Sequence, residues 1–305
     1  MKRFVLTVVT LFFTFEVASA GNGGFAGAHL RFGLGAKAIA FGNSGVAAPP
    51  DGFSFYYNPS KISFVARRYV SFTHYFLSLD RVFNCISLSL PLKPTAGLSL
   101  SWIHAGVKDI EGRTYSGLVD EIYNTGEDAF FMSFSNRFFK KLSLGISLKI
   151  LRNDLVEITG KGIGFDFGLF YNVHTNFKMG VTVCDAGSGY SYNTQKLFPE
   201  QGSTYIDEFP TLIKAGFYLK ILEKVELVSD IEYSDREEFK IHAGAGYTLS
   251  KLARVRIGLN NGSFASGIGL KYDFIGDIDS ILDYAMIFGI PGEGVSHVFS
   301  WQFTF

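Results

Sequence analysis

The chain has 305 residues, of which 47% are hydrophobic, 16% aromatic and only 18% charged, with 32 Phe, 15 Tyr and 34 Gly. Its 28 basic residues are matched by 28 acidic ones, and without a basic excess or stripe nucleic acid is excluded as a partner. Past the N-terminal segment no run of about eighteen apolar residues occurs, so no membrane-spanning helix is available; the apolar residues are dispersed at period two, the spacing of strands.

In chain order, the first element reads as an export signal over residues 1–20. Lys2 and Arg3 supply the positive start, Phe4 to Phe15 the apolar stretch, and Ala18-Ser19-Ala20 a small-residue cleavage site before Gly21. Residues 21–68 are Gly-rich and show no sustained alternation. Within them Asn58-Pro59 reads as a helix start, with Asn capping free amides and Pro in the first helical position. A small helical element from Pro59 to Val65 is expected to follow, in a segment that either plugs a barrel mouth or packs beneath it.

From Tyr69 to Phe305 the pattern predicts fourteen strands. Their expected spans are 69–78, 81–91, 96–106, 127–138, 141–153, 160–173, 176–187, 211–222, 224–236, 237–250, 252–263, 265–276, 280–291 and 296–305. These lengths suit tilted strands that cross a hydrocarbon core. Leu142, Leu144, Ile146, Leu148 and Ile150 alternate with Ser143, Gly145, Ser147 and Lys149; Ile163, Phe165, Phe167 and Leu169 alternate with Gly164, Asp166 and Gly168. One face suits lipid and the other a polar interior. In the last strand Phe299, Trp301, Phe303 and Phe305 alternate with Ser300, Gln302 and Thr304. A C-terminal aromatic on such a strand resembles the signal by which outer-membrane barrels are recognised for insertion, so these four are the candidate insertion signal. The fold class expected is therefore all-β: a transmembrane antiparallel β-barrel of about fourteen strands with an N-terminal plug segment.

The connections support this. Residues 92–95, 139–140, 174–175 and 223 make short turns on one side, whereas 107–126 and 188–210 are long and fall on the other, the asymmetry of barrels with short periplasmic turns and long external loops. The second long loop carries Tyr190, Tyr192, Leu197, Phe198 and Tyr205, candidates for capturing an apolar ligand. By parity Asp166, Lys178, Lys214, Lys271 and Asp273 face inward and are candidates for lining the lumen. Trp102, Phe138, Phe139, Tyr171, Tyr218 and Tyr247 lie near strand ends and suit interfacial girdles.

No catalytic, cofactor or metal set emerges. The histidines, at 29, 74, 104, 174, 242 and 297, lack a metal-ligand spacing. His297 and Ser300 lie on opposite faces of one strand, which argues against a catalytic dyad. Gly160-Lys161-Gly162-Ile163-Gly164 is not a phosphate loop, because strand alternation runs straight through it. Cys85 and Cys184 sit on distant strands, an arrangement that disfavours a bridge.

Residues 30–47, Leu-Arg-Phe-Gly-Leu-Gly-Ala-Lys-Ala-Ile-Ala-Phe-Gly-Asn-Ser-Gly-Val-Ala, resemble the opening signature of the PorV/PorQ family of outer-membrane proteins. The resemblance continues through Asp51 and Tyr57-Asn58-Pro59, with Ser60 where the family has Ala, and returns at Asp283-Tyr284-Ala285 and His297-x-x-Ser300-x-x-Phe303. Pro49-Pro50 departs from the family's pattern. The family is similar to FadL-type barrels, which implies fourteen strands with an N-terminal segment in the lumen, here including Asp51, Tyr57, Asn58 and Pro59. It implies two functions: passive transport of small hydrophobic molecules, or a PorV-like carrier role for exported proteins in a secretion system. The partners expected are outer-membrane lipid and either a hydrophobic small molecule or a secreted protein.

Overall fold

The computed structural model describes residues 24–236, 238–290 and 294–305; the expected export signal lies outside them. Sixteen strands form: β1 (Tyr69–Phe76), β2 (Arg81–Leu92), β3 (Ala96–Arg113), β4 (Val119–Phe138), β5 (Leu142–Asp154), β6 (Thr159–His174), β7 (Phe177–Ala186), β8 (Gly189–Asn193), β9 (Thr204–Glu208), β10 (Leu212–Leu222), β11 (Val225–Ser234), β12 (Phe239–Thr248), β13 (Ala253–Asn260), β14 (Ser263–Ile275), β15 (Ile278–Ile290) and β16 (Gly294–Thr304). Fourteen of them close an antiparallel ring in chain order, β7 pairing with β10, β5 with β6 and β1 with β16. Strands β8 and β9 form an extra hairpin against the far end of β6.

Closure removes every wall edge, so each backbone group finds a partner without water. At the seam Tyr69 faces Thr304 and Phe76 faces His297. The ladder continues one step further, where Arg68 N–H donates to Phe305 O at 3.0 Å and Phe305 N–H to Arg68 O at 3.1 Å.

The two faces of the wall separate as alternation requires. In β16, Ser296, Val298, Ser300, Gln302 and Thr304 are buried inward, whereas Phe299, Trp301 and Phe305 are exposed outward. The same outward exposure holds for Leu100, Trp102, Phe130, Met132, Leu144, Ile146, Ile163 and Phe167. A continuous apolar belt of this kind is unsustainable in water and is the natural face toward lipid. Among the described residues no helix is long and apolar enough to cross a membrane.

Two expected loops are structured instead. β3 and β4 run past the wall as a projecting hairpin in which Ile110 pairs with Tyr123 after a bulge at Val107, and β8–β9 occupies much of 188–210. Both lie outside the apolar belt, where alternation no longer needs a greasy face. Tyr218, expected in the girdle, points inward and donates its hydroxyl to Glu226 at 3.1 Å.

Candidate functional site

The inward face of the barrel is built largely from Ser and Gly. Ser89 and Ser99 are hydrogen-bonded at 3.0 Å and Ser133 and Ser147 at 2.6 Å, all fully buried. Side chains this small cannot fill a fourteen-stranded lumen themselves, and the N-terminal segment fills it instead.

That segment winds through the lumen as a 3-10 turn at Ala28–Arg31, a short helix α1 (Ala36–Ala40), a helical turn α2 (Ser54–Tyr57) and a 3-10 helix at Pro59–Phe64. The last begins as the sequence predicts: Pro59 takes the first position and the Asn58 side chain accepts from Ser60 N–H at 3.1 Å. Its Nδ2 reaches outward, donating to Leu169 O of β6 at 3.0 Å and to Val46 O at 3.2 Å. α1 packs against β13–β16, and Pro59–Phe64 against β2–β6. Close approach at these contacts requires glycine on the wall: a Cβ at Gly145 would overlap the Ser60 backbone, and one at Gly258 the Gly42 backbone.

Polar contacts tie plug to wall on several sides. Ala36 N–H donates to Ser300 Oγ at 2.7 Å and Gly52 N–H to Gln302 Oε1 at 3.0 Å, both on β16. Ser87 Oγ donates to Gly52 O at 2.7 Å. Asp230 Oδ2 on β11 accepts from Gly45 N–H at 2.6 Å and Val46 N–H at 3.0 Å. Tyr75 donates to Gly33 O at 3.1 Å.

Within the plug, Tyr57 Oη accepts from Leu34 N–H at 3.0 Å and donates to Asn43 Oδ1 at 2.7 Å. Lys37 pairs with Asp51 at 2.9 Å, and Lys61 Nζ donates to Gly45 O at 2.6 Å. Burial pushes the Lys61 ammonium down to about 8, although nearby Asp51 pulls the other way. Burial also raises the Asp51 carboxyl, but Lys37 and Lys61 outweigh it and hold the group below its usual value. An enclosed cavity of about 10 Å³ lies among Lys37, Ser44, Asp51, Tyr57 and Lys61, room for about one water.

The five inward charges predicted from parity divide into two groups. Asp166 is buried and Lys214 partly buried on the inner wall: Asp166 meets Lys149 at 2.6 Å and Lys214 meets Glu232 at 2.7 Å. Lys178, Lys271 and Asp273 lie instead at the rim near Arg68 and Phe305, where Lys178 sits 4.6 Å over the Tyr218 ring and Lys271 pairs with Asp279 at 3.1 Å. Lys149, on the polar face that alternation predicts for its strand, and Asp185, Asp230, Glu232, Arg256 and Asp283, not singled out from the sequence, complete the interior network. Lys149 also meets Asp185 at 2.6 Å, and Arg256 meets Asp283 at 2.6 Å. Parity would have found all but Asp185, which turns inward only because β7 bulges there with φ 62°.

At the opposite end the β8–β9 hairpin folds over the mouth. Tyr190 and Tyr192 are 1% and 9% exposed, with Tyr190 donating to Glu127 at 2.9 Å and stacked edge-on against Phe209 at 4.9 Å. Glu127 also meets His29 of the plug at 2.8 Å, so one carboxylate joins wall, hairpin and plug. Phe198 and Tyr205 remain 60% and 61% exposed. The five loop residues therefore do not converge on one pocket. Among the described residues no group of three or more His, Cys, Asp or Glu is arranged to hold a metal, and Cys85 and Cys184 are free thiols.

No protein-family model and no curated protein matches the sequence. Solved structures do match. The toluene transporter TbuX of Ralstonia pickettii superposes with a TM-score of 0.63 at 12% identity, over 90% of this chain and 98% of that one. The toluene transporter TodX of Pseudomonas putida gives 0.63 at 13% identity, over 89% and 98%. A FadL homologue of Pseudomonas aeruginosa gives 0.61 at 10% identity, over 89% and 98%. The chain thus has the fold of these fourteen-stranded barrels along almost its entire described length.

Proposed function

We propose that the chain is an outer-membrane barrel through which small hydrophobic molecules pass passively, without catalysis or a cofactor. The observation that carries this reading is the plug: it fills the lumen yet is joined to the wall by hydrogen bonds such as Ala36 to Ser300 at 2.7 Å, so it can shift while the barrel stays closed. The fold shared with toluene transporters supports the ligand class. On this reading residues 1–20 direct export, and the rim carrying Arg68 and Phe305 faces the periplasm. Exposed Phe198 and Tyr205, with Leu197, meet the ligand first, and Tyr190 and Tyr192 hold the hairpin over the mouth. Displacement of the plug around Asp51, Tyr57, Asn58 and Pro59 then opens a path past Asp166 and Lys214 toward the rim charges Lys178, Lys271 and Asp273.

The test is uptake of labelled toluene by cells with and without the chain, and with Ala36→Cys and Ser300→Cys combined to tether plug to wall. Uptake should need the chain, be lost when the tether is oxidised and return on reduction. Equal uptake in cells lacking the chain would overturn the proposal.

A second reading, a PorV/PorQ-like carrier for exported proteins, is favoured by one observation: the plug packs closely in the lumen, with a cavity of about 10 Å³ among Lys37, Asp51, Tyr57 and Lys61. It is distinguished by an exported protein that co-purifies with the barrel and by uptake that ignores the tether.

A further inference from the structure

The two ends of the barrel carry opposite charge. At the rim bearing Arg68 and Phe305, the residues between strands together with 65–68 include seven Lys or Arg against two acidic side chains. At the other end acidic groups dominate, with Glu111, Asp120 and Glu121 on the β3–β4 hairpin and Asp207 and Glu208 on β9. The basic charge lies on or beside five of the six turns at this rim. Lys93 stands on the β2–β3 turn, Lys140 and Lys141 on β4–β5, Lys178 just after β6–β7, Lys224 on β10–β11 and Lys251 on β12–β13. None of these six pairs with an acidic side chain among the described residues.

Each of four such turns also presents a large apolar side chain beside its lysine. Leu92 adjoins Lys93, Phe139 adjoins Lys140, Leu222 stands two residues before Lys224, and Leu252 adjoins Lys251; all four are exposed, Phe139 to 92%. A lysine beside such an exposed side chain can lay its methylenes along an apolar surface while its ammonium reaches polar headgroups. A patch on one side would suit a docked protein. Charge and grease paired on four of the six turns, on both halves of the rim, suit a lipid leaflet, whose headgroups surround the barrel.

We infer that this rim is a binding ring for anionic phospholipid, the phosphate headgroups engaging the turn lysines and the acyl chains meeting the adjacent Leu and Phe side chains. The inference rests on the reading of the chain as a membrane barrel. Basic residues near a membrane surface strengthen binding to anionic lipid roughly fivefold apiece, whereas the acidic far end repels the same headgroups.

The test is native mass spectrometry of the full chain in detergent, offered equal amounts of phosphatidylglycerol and phosphatidylcholine with identical chains. Phosphatidylglycerol adducts should exceed phosphatidylcholine adducts by at least about fivefold. The combined variant Lys140→Glu, Lys141→Glu, Lys224→Glu and Lys251→Glu should bring the two to parity, and Asp207→Lys with Glu208→Lys at the far end should leave the preference unchanged. Equal binding by the parent chain, or a preference that survives the four reversals, overturns the inference; so does equal lipid binding accompanied by a salt-sensitive acidic protein on the ring. Heat-modifiable migration of each sample on SDS gels separates the two levels: its loss in the parent chain defeats the membrane-barrel reading itself, whereas a heat-modifiable barrel without lipid preference defeats only the ring.

Discussion

Asp230 on β11 holds the plug by its backbone, its Oδ2 lying 2.6 Å from Gly45 N and 3.0 Å from Val46 N. Both amides are buried, and among the described residues no other acceptor stands in for the carboxylate. Asp230→Ala leaves two buried donors unsatisfied, a loss of about 2–4 kcal/mol from docking of the plug. Trypsin should then cut at Lys37 and Lys61 in a barrel that still migrates as folded. Protection equal to that of the parent chain would show that the carboxylate does not hold the plug.

Gly258 tests the same docking from the steric side. Its hydrogen faces the Gly42 backbone so closely that Gly258→Ala forces two main chains apart. Neither is a flexible side-chain end, so the plug must withdraw locally, at about 1–3 kcal/mol. Hydrogen exchange at Phe41 to Asn43 should accelerate while the wall amides of β3 and β4 keep their protection.

The wall was legible from the sequence and the plug contacts were not. Period-two alternation in β5, β6 and β16 is a local signal that an apolar outer face and a polar inner face enforce, and it located all fourteen wall strands. Which inward residue meets which plug residue depends on register across more than two hundred positions, as between Ala36 and Ser300, and leaves no local trace. The β8–β9 hairpin was read as loop because Tyr190 and Tyr192 alternate with Gly, Ser and Asn outside the apolar belt. The bulge at Asp185 defeats parity outright, since Cys184 and Asp185 both point inward.

Lys149 sits between Asp166 and Asp185, 2.6 Å from each and 5.4 Å from the Phe131 ring centre. Lys149→Ala removes the cation and leaves two carboxylates buried without it, which destabilises by about 3–5 kcal/mol. Lys149→Met combined with Asp166→Asn and Asp185→Asn should recover most of that loss, because it removes the orphaned charges as well. Urea unfolding in detergent measures both. A triple variant no more stable than Lys149→Ala would mean that packing, not charge, sets the cost.

Lys61 predicts a pH dependence of plug docking. Its ammonium titrates near 8 in the folded chain against 10.5 when free. Between those values the released plug binds more protons than the docked one, so docking strengthens as pH rises from about 8 to 10.5 and is weakest below 8. Lys61→Met should flatten this dependence, read as the difference in plug unfolding temperature between pH 7 and pH 10. An unchanged difference in the variant would place the titration elsewhere.

Phe305 closes the seam through two backbone hydrogen bonds to Arg68, at 3.0 and 3.1 Å, and exposes its ring outward beside the belt of Phe299 and Trp301. It touches neither plug nor lumen network. Its deletion therefore weakens the last step of β1–β16 pairing, by about 1–3 kcal/mol for the two bonds, and removes the terminal aromatic of the strand. The heat-modifiable fraction recovered from membranes should fall severalfold, whereas uptake per assembled barrel should match the parent chain. Replacing Phe305 by Tyr keeps both the backbone bonds and an aromatic, and should restore assembly, whereas Phe305→Ala keeps only the bonds. If Phe305→Ala assembles as well as Phe305→Tyr, seam closure rather than the aromatic carries the effect, and Phe299, Trp301 and Phe303 are left as lipid contacts alone.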